Sequence, residues 1–150
     1  LKERPNFYGT GIDISKKSVN VSRFNANKLS LTNRTKFIHS SVDNFKIGKY
    51  DIVVSNPPYI ELSNLKYLDK EVVNFEPKLA LSGGLDGFSK IRKVINKAKI
   101  LIKKNGKLVL EFGFNQKNRV KEILKEEGFY INSSIKDYGK NDRCIVSTKI

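Results

Sequence analysis

The sequence contains one cysteine, one histidine, four prolines, no methionine and no tryptophan in 150 residues. A lone Cys144 excludes an internal disulfide, so the fold rests on a packed core, and it fits a reducing, cytoplasmic setting. With His39 the only imidazole and Cys144 the only thiol, no zinc cluster can be assembled, and no metal site is expected. No apolar run reaches the roughly 20 residues of a membrane span. The first residues carry no signal-peptide pattern, so a soluble protein without a membrane partner is expected. The lack of methionine even at position 1 predicts that these residues belong to a longer translated product. Negative charge is also scarce: 15 Asp+Glu stand against 29 Lys+Arg, a formal net charge of +14. Such an excess suits phosphate binding. The lysines, however, are spread along the chain among many Asn and Ile residues, a bias that an AT-rich coding sequence also produces. They concentrate only in residues 97–107. Nucleic acid is therefore an available partner but not the favoured one. The length supports one domain with a real core.

The most informative stretch is Asp51-Ile52-Val53-Val54-Ser55-Asn56-Pro57-Pro58-Tyr59-Ile60. Its β-branched run reads as a buried parallel strand, and the two prolines end the ladder. In open α/β sheets ligands sit outside the carboxyl ends of strands, so residues 56–59 would line a crevice. Asn56 Oδ1 and the Pro57 carbonyl are acceptors that can together hold both hydrogens of one –NH₂ group. Pro57 and Pro58 restrict the backbone and stiffen that grip before a substrate arrives. Tyr59 offers a flat face for the planar group carrying the nitrogen, whether an amide or a nucleobase. The nitrogen lone pair of such a group is delocalised. Drawing both hydrogens toward acceptors favours the tetrahedral geometry needed for attack, which is catalysis by preorganised geometry and electrostatics without an obligatory base. The bland alternative is a strand followed by a proline-rich turn.

Asn-Pro-Pro-Tyr after an apolar strand resembles the signature of S-adenosylmethionine-dependent amino methyltransferases. Further stretches occur in order: Ser55 through Ile60, Phe75-Glu76-Pro77, Ala80-Leu81-Ser82-Gly83-Gly84-Leu85-Asp86-Gly87, Leu110-Glu111-Phe112-Gly113 with Gln116, and Asp142-Arg143. Together they resemble the HemK/PrmC family, the peptide chain release factor N5-glutamine methyltransferases, over nearly the whole chain. The resemblance implies methyl transfer from S-adenosylmethionine to a glutamine side-chain amide in a release factor loop. Asn56, Pro57 and Tyr59 would then be catalytic, and Asn56, Pro57, Pro58 and Tyr59 would bind substrate. Cofactor contacts would fall on Asp13, Val42, Asp43 and Asn56. The alternatives are a DNA or RNA exocyclic-amine methyltransferase and a noncatalytic, truncated module.

The rest of the chain fits an alternation of strands and helices. Phe7 through Ile14 reads as a strand, and Gly9-Thr10-Gly11 lies inside it; a glycine-rich cofactor loop would instead follow a strand and open a helix. Asp13, at the strand tip, is placed to accept bonds from two ribose hydroxyls, or alternatively to cap the next helix. Residues 15–29 predict a helix with Val19, Val21, Phe24 and Leu29 inward. Residues 35–39 predict a strand, with His39 structural or solvated. In residues 40–45 either Ser41 or Asp43 takes the acidic place of the family, and Val42 is the residue packed on adenine. Residues 61–86 form a long connection, read as a lid or substrate-side loop that Glu76 orders. Residues 88–103 predict a helix through Ile91, Val94, Ile95, Ala98 and Ile102, and residues 107–112 a strand in which Glu111 supports the site or forms an ion pair. Residues 115–127 predict a helix with Val120, Ile123 and Leu124 inward. Two strands, 130–136 and 143–149, finish the chain, with Cys144 in the core.

This pattern predicts an α/β class I methyltransferase, Rossmann-like sheet. The family order is 3-2-1-4-5-7-6 with strand 7 antiparallel, and strand 1 with its glycine-rich loop is absent from this chain. Residues 1–150 would then be a partial S-adenosylmethionine-dependent catalytic domain, monomeric, inactive and poorly folded alone, binding cofactor weakly or not at all.

Overall fold

The computed structural model describes residues 1–67 and 77–150. They form two compact units, Leu1–Lys46 and Ile47–Ile150.

The first unit is a β-α-β arrangement of β1 (Gly9–Asp13), α1 (Lys16–Lys28) and β2 (Thr35–His39). The strands are parallel, with Gly9 opposite Thr35 and Asp13 opposite His39. Ser15 caps α1, its hydroxyl accepting the Ser18 N–H at 3.2 Å, so the helix starts one residue later than the periodicity predicts. The glycines of Gly9-Thr10-Gly11 do lie within β1. A Cβ on Gly11 would stand 2.8 Å from the Phe37 ring, so glycine there makes room for a neighbouring strand's side chain. The expected apolar stripe of α1 holds only at Val19. Val19 and Ala26 are buried and Ser22 is half-buried, a small-residue face spaced i, i+3, i+7 that seats closely on two short strands. Val21, Phe24 and Leu29 are exposed, and the Lys28 ammonium lies 4.8 Å from the Phe24 ring centre.

The second unit contains β3 (Tyr50–Ser55), β4 (Ile60–Glu61), α2 (Lys78–Leu81), β5 (Ser82–Gly84), α3 (Ser89–Leu101), β6 (Ile102–Glu111), α4 (Lys117–Glu126), β7 (Phe129–Lys136) and β8 (Asp142–Lys149). Four strands form one sheet in the order β3-β6-β8-β7; β3 and β6 are parallel, and β8 runs antiparallel to both its neighbours. Removing strand 1 from the order 3-2-1-4-5-7-6 leaves the runs 3-2 and 4-5-7-6. The sheets β2-β1 and β3-β6-β8-β7 are those two runs, and among the described residues no strand pairs with both β1 and β3.

Register explains where this unit's core lies. Val53 pairs with Leu108 and Ser55 with Leu110, while Leu108 and Leu110 face Ser147 and Ile145 across the ladder. These residues share one face, and Leu108, Leu110, Ile145 and Ser147 are fully buried. α3 contributes Ile91, Val94, Ile95 and Ala98 to that core, and α4 contributes Val120, Ile123 and Leu124, as their spacing predicts. The expectation of a strand buried on both sides fails at Ile52 and Val54, which are 45% and 72% exposed. They alternate onto the other face of the sheet, away from the buried layer. β6 also begins earlier than expected. Ile102 already pairs with Tyr50 and Lys107 with Ile52, so residues 103–106 turn out of the ladder through Asn105 at φ 63.

Candidate active site

In the second unit, parallel pairing of Ser55 with Leu110 brings two chain segments out at one edge, residues 56–59 after β3 and residues 112–116 after β6. Pro57 is buried, Pro58 and Tyr59 are half-buried, and Asn56 is exposed. The prolines thus anchor the segment while the carboxamide reaches solvent. Among the described residues no group hydrogen-bonds the Asn56 side chain, so its acceptor is open to a ligand.

Tyr59 is held from behind. Gln116 Nε2 donates to the Tyr59 carbonyl at 3.0 Å and lies 3.4 Å from the Gly87 carbonyl, and its Oε1 accepts the Gly113 N–H at 2.9 Å. Gln116 is buried. It occupies the position before α4 where Ser, Thr, Asp or Asn would ordinarily cap the helix, yet its side chain makes no cap bond. Three glycines admit this packing. A Cβ on Gly87 would stand 2.8 Å from Gln116 Nε2 and from the Tyr59 carbonyl oxygen, and one on Gly113 would stand 3.0 Å from Gln116 Oε1. A Cβ on Gly83 would stand 2.5 Å from the Gly87 carbonyl oxygen. The sequence motif contains Gln116 without indicating this role. The signal was a glutamine at a helix start, where it is a poor cap.

The long connection is anchored at both ends. β4 pairs with β5, Ile60 with Ser82 and Glu61 with Gly84. Phe75 and Glu76 lie outside the described residues. Asp86 closes this segment: its carboxylate binds Arg92 at 2.6 Å and accepts the Phe88 N–H at 2.9 Å, and both, the guanidinium first, hold its pKa below the usual carboxylate range.

The β7–β8 turn is built from charge. Asp137 accepts the Asn141 N–H at 2.9 Å and pairs with Arg143 at 3.0 Å, and Asp142 meets the Lys117 ammonium at 2.8 Å. Both carboxyls are lowered, Asp137 chiefly by the Asn141 N–H and Asp142 chiefly by Lys117. Cys144 is half-buried rather than a full core residue, because it pairs with Glu111 on the less covered face of the sheet. Burial first, and the Glu111 charge second, push its thiol pKa up. Glu111 itself makes no ion pair among the described residues.

In the first unit, Asp13 lies exposed at the carboxyl end of β1, beside the end of β2. Oδ1 accepts the Ser15 N–H at 2.7 Å, and the helix cap is Ser15 rather than Asp13. The second carboxylate oxygen has no protein partner among the described residues, which fits a ribose hydroxyl donor. Beyond β2, the Ser41 hydroxyl accepts the Asn44 N–H at 3.2 Å, Val42 is half-buried and Asp43 is exposed. His39 Nε2 lies 2.9 Å from the Ile14 carbonyl, a structural use. The open Asp13 oxygen is an acceptor that fits the ribose of S-adenosylmethionine, whereas Gly9 and Gly11, inside a strand, provide no loop for its methionine part.

Among the described residues no helix is long and apolar enough to cross a membrane, and no cluster of His, Cys, Asp or Glu could hold a metal.

A family profile described as a methyltransferase domain matches residues 2–146. The chain is 38% identical to the release factor glutamine methyltransferase of Agrobacterium fabrum, over 97% of this chain and 50% of that protein. It is 40% identical to the release factor glutamine methyltransferase of Fusobacterium nucleatum, over 93% and 40%. A bifunctional methyltransferase of Rickettsia bellii matches at 36% identity, over 97% and 26%. The chain thus spans half or less of the length of these relatives. Among solved structures, TrmN of Thermus thermophilus superposes with a TM-score of 0.64 at 18% identity, over 98% of this chain and 38% of that one. An O-methyltransferase family protein of Burkholderia thailandensis does so with a TM-score of 0.68 at 14% identity, over 99% and 46%. Those likenesses show the class I methyltransferase fold. With the matched profile covering nearly its whole length, the chain belongs to the methyltransferase domain family.

Proposed function

We propose that this chain is part of the catalytic domain of an S-adenosylmethionine-dependent enzyme that methylates the side-chain amide nitrogen of a glutamine in a peptide chain release factor. The observation that carries the reading is the exposed Asn56 carboxamide, unbonded among the described residues, at the start of a segment anchored by a buried Pro57 and a tethered Tyr59. The names of the Agrobacterium and Fusobacterium relatives support the substrate class.

In this reading the cofactor supplies an activated methyl group. Asp13 accepts bonds from the ribose hydroxyls, and Val42 and Asp43 serve the adenine side. Asn56 Oδ1 and the Pro57 carbonyl take the two amide hydrogens, so the nitrogen lone pair is withdrawn from the amide resonance and turned toward the incoming carbon. Pro58 and Tyr59 fix and flank that grip. The protein acts as a cytoplasmic monomer.

A nucleic-acid amine methyltransferase is the second reading, and the net charge of +14 favours it. Such an enzyme must reach an unpaired or flipped base and needs a target-recognition region for it. The test is methyl transfer from radiolabelled S-adenosylmethionine by the protein as its gene encodes it, offered release factor and nucleic acid separately. Label in one glutamine is the expected result. Label in a base alone would overturn the release factor reading.

A further inference from the structure

The ends of three segments meet at one buried side chain. Tyr59 lies between β3 and β4, Gly87 precedes α3 and Gly113 follows β6, and the Gln116 carboxamide bonds the main chain of all three. Its one carbonyl takes the Gly113 N–H, and its –NH₂ faces the Tyr59 and Gly87 carbonyls at 3.0 and 3.4 Å. This arrangement fixes the amide's orientation, because turning it over would set a donor against a donor and an acceptor against two acceptors. Gln116 is itself fixed, since its main-chain N–H also bonds the Gly113 carbonyl at 2.8 Å.

We propose that Gln116 is a positioning residue for Asn56: its carboxamide sets the Tyr59 peptide, and the two intervening prolines carry that setting to the Asn56 acceptor. Pro57 and Pro58 leave few backbone torsions free between the tethered carbonyl and the reactive end of the segment. A shift of the Tyr59 peptide is therefore passed on rather than absorbed. The inference rests on Asn56 holding the substrate nitrogen. It adds that the geometry of this grip is determined from the far side, by a group that touches neither substrate nor cofactor.

Gln116→Glu is the informative substitution. It keeps the shape and the acceptor for Gly113 but replaces both donors with oxygens facing two carbonyls. In the protein as its gene encodes it, kcat for methyl transfer should fall on the order of 10²-fold at about pH 8, the cost of a small misplacement of reacting groups. A carboxyl facing two carbonyls in a buried site takes up a proton readily, and protonation restores one donor. The deficit relative to wild type should therefore shrink toward about pH 6. A structural role unrelated to hydrogen-bond donation would not give that recovery. Unchanged kcat, or a deficit independent of pH, would overturn the proposal.

Side-chain amide NMR signals of Asn56 in the isotope-labelled protein as its gene encodes it supply a readout that needs no activity. They should shift or broaden in Gln116→Glu while signals from residues 137–141 stay in place. If the wild-type enzyme methylates no amide, the functional reading fails separately, and unmoved Asn56 signals would still overturn the positioning role. Gln116→Met, neutral and of similar length, covers the case in which the charged variant does not fold. It should show the same kcat loss without recovery at low pH. Global unfolding of both variants would assign Gln116 to the stability of the whole unit and overturn the proposal.

Discussion

Gly83 lies against the backbone of Tyr59: a Cβ on Gly83 would stand 2.8 Å from the Tyr59 Cα. The opposing atoms are main chain, so no side chain can rotate away to relieve the clash. Gly83→Ala should destabilise by about 1–3 kcal/mol, the usual cost of overpacking. It should also lower methyl transfer, because the group it displaces carries the proposed substrate grip. Gly128 provides the contrast. It has φ 81 but nothing within 4 Å of a Cβ, so Gly128→Ala should cost only about 1–2 kcal/mol of left-handed strain and leave turnover unchanged. Urea titration of both variants with parallel assays checks the difference.

Asn56→Ala separates chemistry from folding. The side chain is exposed and unbonded among the described residues, so its loss should change stability by no more than about 0.5 kcal/mol. Turnover should fall roughly 10²-fold or more, as when a preorganised transition-state partner is removed. Single-turnover kinetics of the folded variant is the measurement. A variant with wild-type turnover would remove Asn56 from the mechanism.

What was legible in the sequence was what depends on local chemistry. Thr35–His39 was bounded by its own composition, and the α3 and α4 faces by their 3.6-residue period. The Asn-Pro-Pro-Tyr segment was legible because prolines end a strand whatever surrounds them. Faces chosen by packing were not legible. α1 buries the smaller Val19–Ala26 face and leaves Phe24 outside, since hydrophobicity alone does not say which face two short strands can accept. Ile52 and Val54 carry the composition of a buried strand, and only the layering of the sheet shows them exposed. The Gln116 bonds join residues 57 and 29 positions apart, a relation that no local pattern encodes.

Acid should loosen the β7–β8 hairpin. Asp137 and Asp142 both bind their protons more weakly in the folded chain than in the unfolded one, Asp137 through the Asn141 N–H and Arg143, Asp142 through Lys117. Their stabilising contribution is complete above the ordinary carboxylate value of about 4 and is lost as pH falls through their lower folded values. In Asp142→Asn the Lys117 pair is absent at every pH. The gap in urea midpoint between wild type and this variant should therefore close as pH is lowered below about 4. High salt at neutral pH should narrow the same gap, since the pair is partly exposed. A gap that persists in acid would mean that the pair contributes nothing and the substitution acts through packing.

Asp13 has one observed task and one proposed task, and one pair of variants divides them. Oδ1 holds the Ser15 N–H at 2.7 Å, next to the residue that caps α1. The other oxygen is the one assigned to ribose. Asp13→Asn can keep an oxygen for Ser15 but loses the charge and the second acceptor, whereas Asp13→Ala loses both tasks. Hydrogen bonds to a charged acceptor are worth about 1.5–3 kcal/mol, so Asp13→Asn should weaken S-adenosylmethionine binding by about 10-fold or more in the protein as its gene encodes it. The midpoint of unfolding should stay near wild type in Asp13→Asn and fall in Asp13→Ala. Calorimetric titration with parallel circular dichroism reads both. Wild-type affinity in Asp13→Asn, with a loss confined to Asp13→Ala, would make Asp13 a structural support for the start of α1 and move the ribose contact elsewhere.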